Sequence, residues 1–284
     1  MDQTIILERR AETPSRLQQD LKKNGFAVVR NILTPEQVRD LRRMTQGHLK
    51  SSGWYNYGGK LQVQAMHVVP GLAEILTSDS VLRVLKEIAQ PLDVELTFEC
   101  DLMINTTSTW HKDIVHHPAF KGSEIFSDDA FRVYKMAFYL QEQDSTSRST
   151  LKVKPGSHMR TDGDGLPVEG TSVRPGDAVV FDVRIDHVGQ MPTVTDKLLR
   201  KSLLALGPRL GFDVQKAFTK SRSLLRVASG KTSDRMAVFM TFGPSEAWTH
   251  TYAEAARYRH KELARTLDDG VLSRLARDHV IAPS

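Results

Sequence analysis

The chain has 284 residues, of which 40% are apolar, with 39 Lys+Arg against 34 Asp+Glu for a formal charge of +5. That length suits one large domain with a sizeable core, and no apolar run approaches the eighteen residues a membrane-spanning helix needs. Cys100 is the only cysteine, which excludes an internal disulfide and every multi-cysteine metal site. The N-terminal MDQTIILERRAE lacks the basic start, long apolar centre and small-residue cleavage site of a secretory signal, so a cytoplasmic protein is expected.

Helix signals come first. Thr13-Pro14 offers a cap and a proline at the first helical position before SRLQQDLKKN, with Gly25 as the stop. FAVVR (26–30) reads as a strand. Thr34-Pro35-Glu36-Gln37 is a capping box that launches QVRDLRRMTQGHLK, a helix expected to end near Gly53. Residues 53–67 read as a glycine-punctuated loop carrying Trp54, Tyr55, Tyr57, Lys60 and Gln62, a mixture suited to a pocket wall or a lid. A further helix is expected over 80–90.

After Pro91 the texture becomes β-branched and aromatic. VELTFECDLMINTT, FRVYKMAFYLQ, STLKVK, DAVVFDVRIDHV and DRMAVFMTFG read as strands separated by Gly, Pro and Asp turns. Helical periodicity interrupts them at 197–232 and returns in the tail. The order suggests one β-rich domain over 1–284, mainly β with flanking helices. Residues 1–92 form a helical, lid-bearing start, 93–243 the core with a helical insertion at 197–232, and 244–284 the C-terminal helices.

The basic residues Lys197, Arg200, Lys201, Arg209, Lys216, Lys220, Arg222 and Arg226 are the densest cationic stretch. They are spread out, where a nucleic-acid surface usually shows a denser basic patch interleaved with aromatics, so they read as a solvated helix face or as attraction for an anionic substrate. Neither a nucleic acid nor a membrane is expected as a partner, and oligomeric state is not legible.

The chemical signal is His111-Lys112-Asp113 with His187. In an extended segment residues two apart share a side, so His111 and Asp113 face together while Lys112 points away. Two imidazoles and one carboxylate can take one face of an octahedral Fe(II), leaving open positions for a chelating oxo-acid and O₂. His116 and His117 read as rim residues, His158 as structural, and Trp110 as a wall beside the metal pair. Lys135 and Tyr134 lie on a core strand, where Lys135 is a candidate cosubstrate contact. Trp248 and His250 are further candidates for the mouth.

NGFAVVRNILTPEQV, His111-x-Asp113, FRVYKMAFYLQ, LKVKPGSH and RPGDAVVFDVRIDHVGQ, in that order, resemble the phytanoyl-CoA dioxygenase-like family of Fe(II)/2-oxoglutarate oxygenases over about 25–243. The resemblance implies a double-stranded β-helix (jelly roll, cupin-like) core with His111, Asp113 and His187 as iron ligands. It also implies 2-oxoglutarate and O₂ as cosubstrates, with succinate and CO₂ released as a C–H bond of a small molecule is hydroxylated or otherwise oxidised. The carboxylate Asp113 speaks against halogenation, since the family's halogenases replace it by a small residue. A basic residue must anchor the distal carboxylate of the cosubstrate. Arg235, on DRMAVFMTFG, is preferred over Arg200, whose surroundings look helical. Trp54, Tyr57, Lys60 and Trp110 are the candidate substrate contacts, and the mild positive charge weakly favours an anionic substrate. A zinc-type hydrolase and a non-catalytic ligand-binding jelly roll are the alternatives.

Overall fold

The computed structural model describes residues 14–116, 120, 122, 124–230, 233–259 and 267–282, with the backbone alone at 98, 115 and 116. Helix α1 (Arg16–Asn24) is capped by Ser15. Its hydroxyl accepts from the Gln18 amide at 3.3 Å while the Ser15 amide donates to Gln18 Oε1 at 2.9 Å. The expected cap, Thr13, lies outside the described residues, and Pro14 stands ahead of the helix. The reciprocal box at Ser15 satisfies two orphan amides together, whereas a cap at Thr13 would put Arg16, which has no acceptor, at the third helical position. Gly25 ends the helix in the left-handed conformation, φ 79°.

Strand β1 (Phe26–Val29) follows, then α2 (Pro35–Ser51) behind the expected Thr34–Gln37 box. Residues 53–67 depart from the loop reading. They form a hairpin, β2 (Trp54–Asn56) and β3 (Gly59–Gln62), that extends the main sheet beside the next strand. Gly58 supplies the positive φ of the turn (76°), and a Cβ on Gly59 would stand 2.1 Å from the Ile104 carbonyl oxygen. Two short helices, α3 (Ala65–Val68) and α4 (Leu72–Leu76), precede α5 (Asp79–Ala89).

The strands that follow are β4 (Val94–Ile104), β5 (Tyr134–Tyr139), β6 (Lys152–Val153), β7 (Glu169–Gly170), β8 (Ala178–Asp182) and β9 (His187–Val188). Helices α6 (Val194–Leu210) and α7 (Val214–Ala228) come between β9 and β10 (Met236–Pro244). The chain closes with α8 (Ala247–Arg259), α9 (Asp269–Arg277) and β11 (Val280–Ile281). Among the described residues no helix is long and apolar enough to cross a membrane.

The larger sheet runs β1-β8-β5-β10-β4-β3-β2, antiparallel throughout, with β11 added parallel to β4. A smaller sheet, β7-β6-β9, is also antiparallel. Alternation along the strands divides the core. On one face Leu96, Leu102, Met136, Phe138, Val180 and Val238 pack against leucines of the flanking helices, among them Leu21, Leu41, Leu72 and Leu85. On the other, Ala137, Tyr139, Val179, Phe181 and Ala237 meet Leu151, Val153 and Ile185. Both faces are covered, which explains why β5 and β8 are buried at every position. The second layer, between the two sheets, holds the site.

Candidate metal centre

His111 and His187 lie opposite each other in an isolated antiparallel bridge. Each amide donates to the other's carbonyl, at 3.1 and 2.9 Å. Side chains directly opposite in such a pair leave on the same side of the ribbon, and the two ring centroids are 4.3 Å apart. Asp113 then opens a 3-10 turn (Asp113–His116), so bridge plus turn, rather than continuous extended chain, brings its carboxylate to the imidazoles. Lys112 does point away: its buried Nζ donates to the Ser157 and Arg184 carbonyls at 2.7 and 2.8 Å, and stands 3.5 Å from Asp186.

The hydrogen bonds of the rings fix their tautomers. His111 Nδ1 lies 2.7 Å from the Thr109 carbonyl and His187 Nδ1 lies 3.1 Å from the Ile185 carbonyl. A carbonyl only accepts, so each Nδ1 carries the proton and each Nε2 keeps its lone pair. Those Nε2 atoms are 3.6 and 3.8 Å from Asp113 Oδ1, and one donor atom from each residue falls within 4.8 Å of the others. Metal–ligand bonds of about 2 Å set neighbouring donors roughly 3 Å apart, so the set fits one small cation.

Electrostatics hold the trio in its ligating form. Burial works to raise the Asp113 pKa, but Lys135, His187 and His111 together hold the carboxyl well below the usual range. Lys135 Nζ is 2.8 Å from Oδ2, leaving Oδ1 turned to the imidazoles. Burial is the main cause that lowers His187 to about 4, against the pull of Asp113. At neutral pH the site therefore presents a carboxylate and a neutral His187, the states a metal requires.

The trio opens into a cavity of about 160 Å³ whose wall also includes Tyr57, Lys135, Tyr139, Arg235 and Phe239. Arg235 is 7% exposed; its Nε donates to the Ser149 carbonyl at 2.7 Å and its guanidinium lies 5.2 Å from the centre of the Tyr139 ring. Arg200 sits on the exposed side of α6 and lines no part of this cavity. A cavity of about 950 Å³ beside α1 and residues 129–134 shares no lining residue with the metal centre.

Three expected substrate contacts are placed elsewhere. Trp54 is on β2, 48% exposed and off the cavity wall, because the hairpin turns its ring to solvent. Lys60 reaches back to the end of α2, donating to Ser52 O at 2.9 Å and to Leu49 O, where orphan carbonyls attract a cation. Trp110 lies under Lys154, whose Nζ is 5.2 Å from the ring centre. Tyr57 alone of the four borders the cavity. His158 bonds the Lys22 carbonyl at 3.1 Å, a structural role, while His117 and the His116 side chain lie outside the described residues. Tyr134 faces the larger cavity, Trp248 donates to Asp128 at 2.7 Å, and His250 meets Glu95 at 2.6 Å, all away from the trio.

Asp101 is a wall residue that the motif reading passes over. Its partner across β4 and β10 is Phe239, so the two share the inward face. Burial, with Asp113 adding and Lys135 opposing, raises its carboxyl to about 6. Glu99 and Asp101, two apart on β4, are the sequence signal for an inward acidic face.

No family model matches the chain, and no curated protein matches it. Solved structures do. The non-haem α-ketoglutarate-dependent epimerase SnoN from nogalamycin biosynthesis superposes with a TM-score of 0.54 at 13% identity, covering 81% of this chain and 82% of its own. EctD from S. alaskensis with bound Fe gives 0.55 at 13% identity, covering 86% and 82%. HygX from Streptomyces hygroscopicus with nickel and 2-oxoglutarate bound gives 0.55 at 12% identity, covering 83% and 89%. The chain thus shares the fold of these three proteins.

Proposed function

We propose that the chain is an Fe(II)- and 2-oxoglutarate-dependent dioxygenase of the phytanoyl-CoA dioxygenase-like group, hydroxylating or otherwise oxidising a C–H bond of a small molecule. The observation that carries this reading is the convergence of His111, Asp113 and His187 Nε2 and Oδ1 atoms on a cavity that Arg235 also borders. In this reading the two sheets form a double-stranded β-helix inside a single domain, with 1–92 before it, α6 and α7 as an insertion, and 244–284 after it. The fold neighbours that bind iron or 2-oxoglutarate support it.

His111, Asp113 and His187 would hold the iron, and Lys135 positions the Asp113 carboxylate by holding Oδ2. Arg235 would receive the distal carboxylate of 2-oxoglutarate, for which a guanidinium fork is suited and never loses its charge. Tyr139 and Phe239 wall the cavity, limiting water around the reacting groups. Bound iron with 2-oxoglutarate and O₂ supplies the oxidising power, and the oxo-acid leaves as succinate and CO₂. The substrate is a small molecule entering past Tyr57.

The test is an anaerobic titration of apo-protein with Fe(II) and then 2-oxoglutarate. Chelation of ferrous iron by the oxo-acid gives a weak visible charge-transfer band that His187→Ala should abolish. A folded, iron-loaded protein without that band would direct attention to zinc-type hydrolysis or ligand binding.

A further inference from the structure

We infer that the α6–α7 hairpin is a docking surface for an acidic protein partner, seated beside the mouth of the cavity. Residues 194–228 hold eight Lys and Arg against two Asp, a formal +6, so with the whole chain at +5 the remaining residues carry −1. All of the protein's net positive charge is thus concentrated in one helical pair.

The same pair is poorly covered. On α6 only Asp196 and Gly207 are buried. Leu198, Leu204, Leu206 and Leu210 of α6, with Leu224 and Leu225 of α7, are between 46% and 72% exposed. Solvated helices ordinarily keep such residues on one inward stripe. Six exposed leucines on one helical pair exceed the single scattered apolar residues normal at a protein surface.

The hairpin is nevertheless firmly attached. Buried Arg222 donates to Asp196 at 3.0 Å, to the Gly58 carbonyl at 3.0 Å and to the Asn105 carbonyl. Thr219 donates to the Gly59 carbonyl at 3.2 Å. These contacts grip the β2–β3 turn, whose Tyr57 borders the cavity, so an occupant of the hairpin would stand next to the entrance.

Charge decides between the occupants. A second copy would set one +6 surface against another, which like-charge repulsion opposes. A lipid surface requires apolar and basic residues on separate faces of the helix, commonly with aromatic anchors. On α6 they are interleaved around the exposed arc: Leu198 neighbours Lys197 and Lys201, and Leu210 neighbours Arg209. Apolar anchors ringed by charges suit a protein of opposite sign.

The test replaces Leu204 with the photo-cross-linker benzoylphenylalanine in the full-length, iron-loaded protein and irradiates it in an extract of the source cells. The same replacement at exposed Val168 is the background. The captured partner is then purified and its binding measured by calorimetry. The expected result is an acidic partner whose affinity falls about tenfold or more between low and high salt. A Lys197→Glu/Lys201→Glu/Lys220→Glu variant should lose the binding while keeping its circular dichroism and its charge-transfer band with 2-oxoglutarate. The inference is overturned by cross-linking no stronger than at Val168, or by a captured protein that binds the charge-reversed variant equally well. It is also overturned by a self-adduct with a dimer in sedimentation, or by retention on phosphatidylglycerol vesicles.

Discussion

Arg235 and Asp101 border one cavity with opposite charges, and each makes a distinct prediction. Arg235→Ala should raise the 2-oxoglutarate Kd about a hundredfold, the loss of two charge-assisted bonds of roughly 1.5 kcal/mol each, with iron affinity unchanged. Arg200→Ala should change neither, and anaerobic titration of the charge-transfer band checks both. If Arg200→Ala weakens the cosubstrate instead, the anchor has been misassigned. Asp101 acts through pH. Its carboxyl ionises near 3.8 when unfolded and near 6 when folded, so the folded state binds more protons between those values and loses stability as pH rises across them. His187 has the opposite sign: folded at about 4 and unfolded at 6.5, it contributes stability that grows over that window and is lost as pH falls through it. Asp101→Asn should therefore stabilise the apo-protein above pH 6, with the gain fading toward pH 4 and the remaining profile rising more steeply. Melting temperatures across pH 4–8 decide this, and an unchanged profile would mean that Asp101 is solvated in the folded protein.

At the scale of elements, the α6–α7 hairpin depends on one buried ion pair. Asp196→Asn keeps an acceptor for the Thr193 amide but leaves Arg222 uncompensated. Breaking such a pair from one side costs about 3 kcal/mol. Urea unfolding should read that loss, and a value under about 1 kcal/mol would mean that the backbone carbonyls alone hold Arg222. The sequence made some elements plain and hid others for a physical reason. Thr34 and Gln37 announce α2 because a capping box is complete within four residues. At α1 the Thr13-Pro14 pair was the start read from the sequence, while the box that forms is at Ser15, whose partner Gln18 returns the hydrogen bond. The β2–β3 hairpin is stabilised by β4, some forty residues onward, so Trp54 and Lys60 looked like pocket residues in isolation. β11 is two residues paired with β4, beyond any local signal. In the site, His111, Asp113 and His187 were readable as a motif, and Arg235 through its strand. Asp101 belongs to no metal or cosubstrate motif, and only its alternation with Glu99 along β4 marks it as inward.

Over the whole molecule, helices cover one face of the larger sheet, the smaller sheet covers part of the other, and the cavity lies between the two sheets. The bridge in which His111 and His187 exchange amide bonds joins segments far apart in the chain. Two of the three donors are therefore neighbours only after the β5–β8 core has closed and brought both loops to one end. An ion that binds there binds the native chain and has little hold on the unfolded one. Mass action then ties folding to metal concentration: at a thousand times Kd the native state gains about 4 kcal/mol. Calorimetry at increasing Fe(II) under argon should show a melting temperature that climbs with the logarithm of free metal and returns on chelation. A melting temperature indifferent to metal would mean the ion is not bound by the trio. If it climbs, the supply of iron sets how much folded protein persists as well as how fast it works.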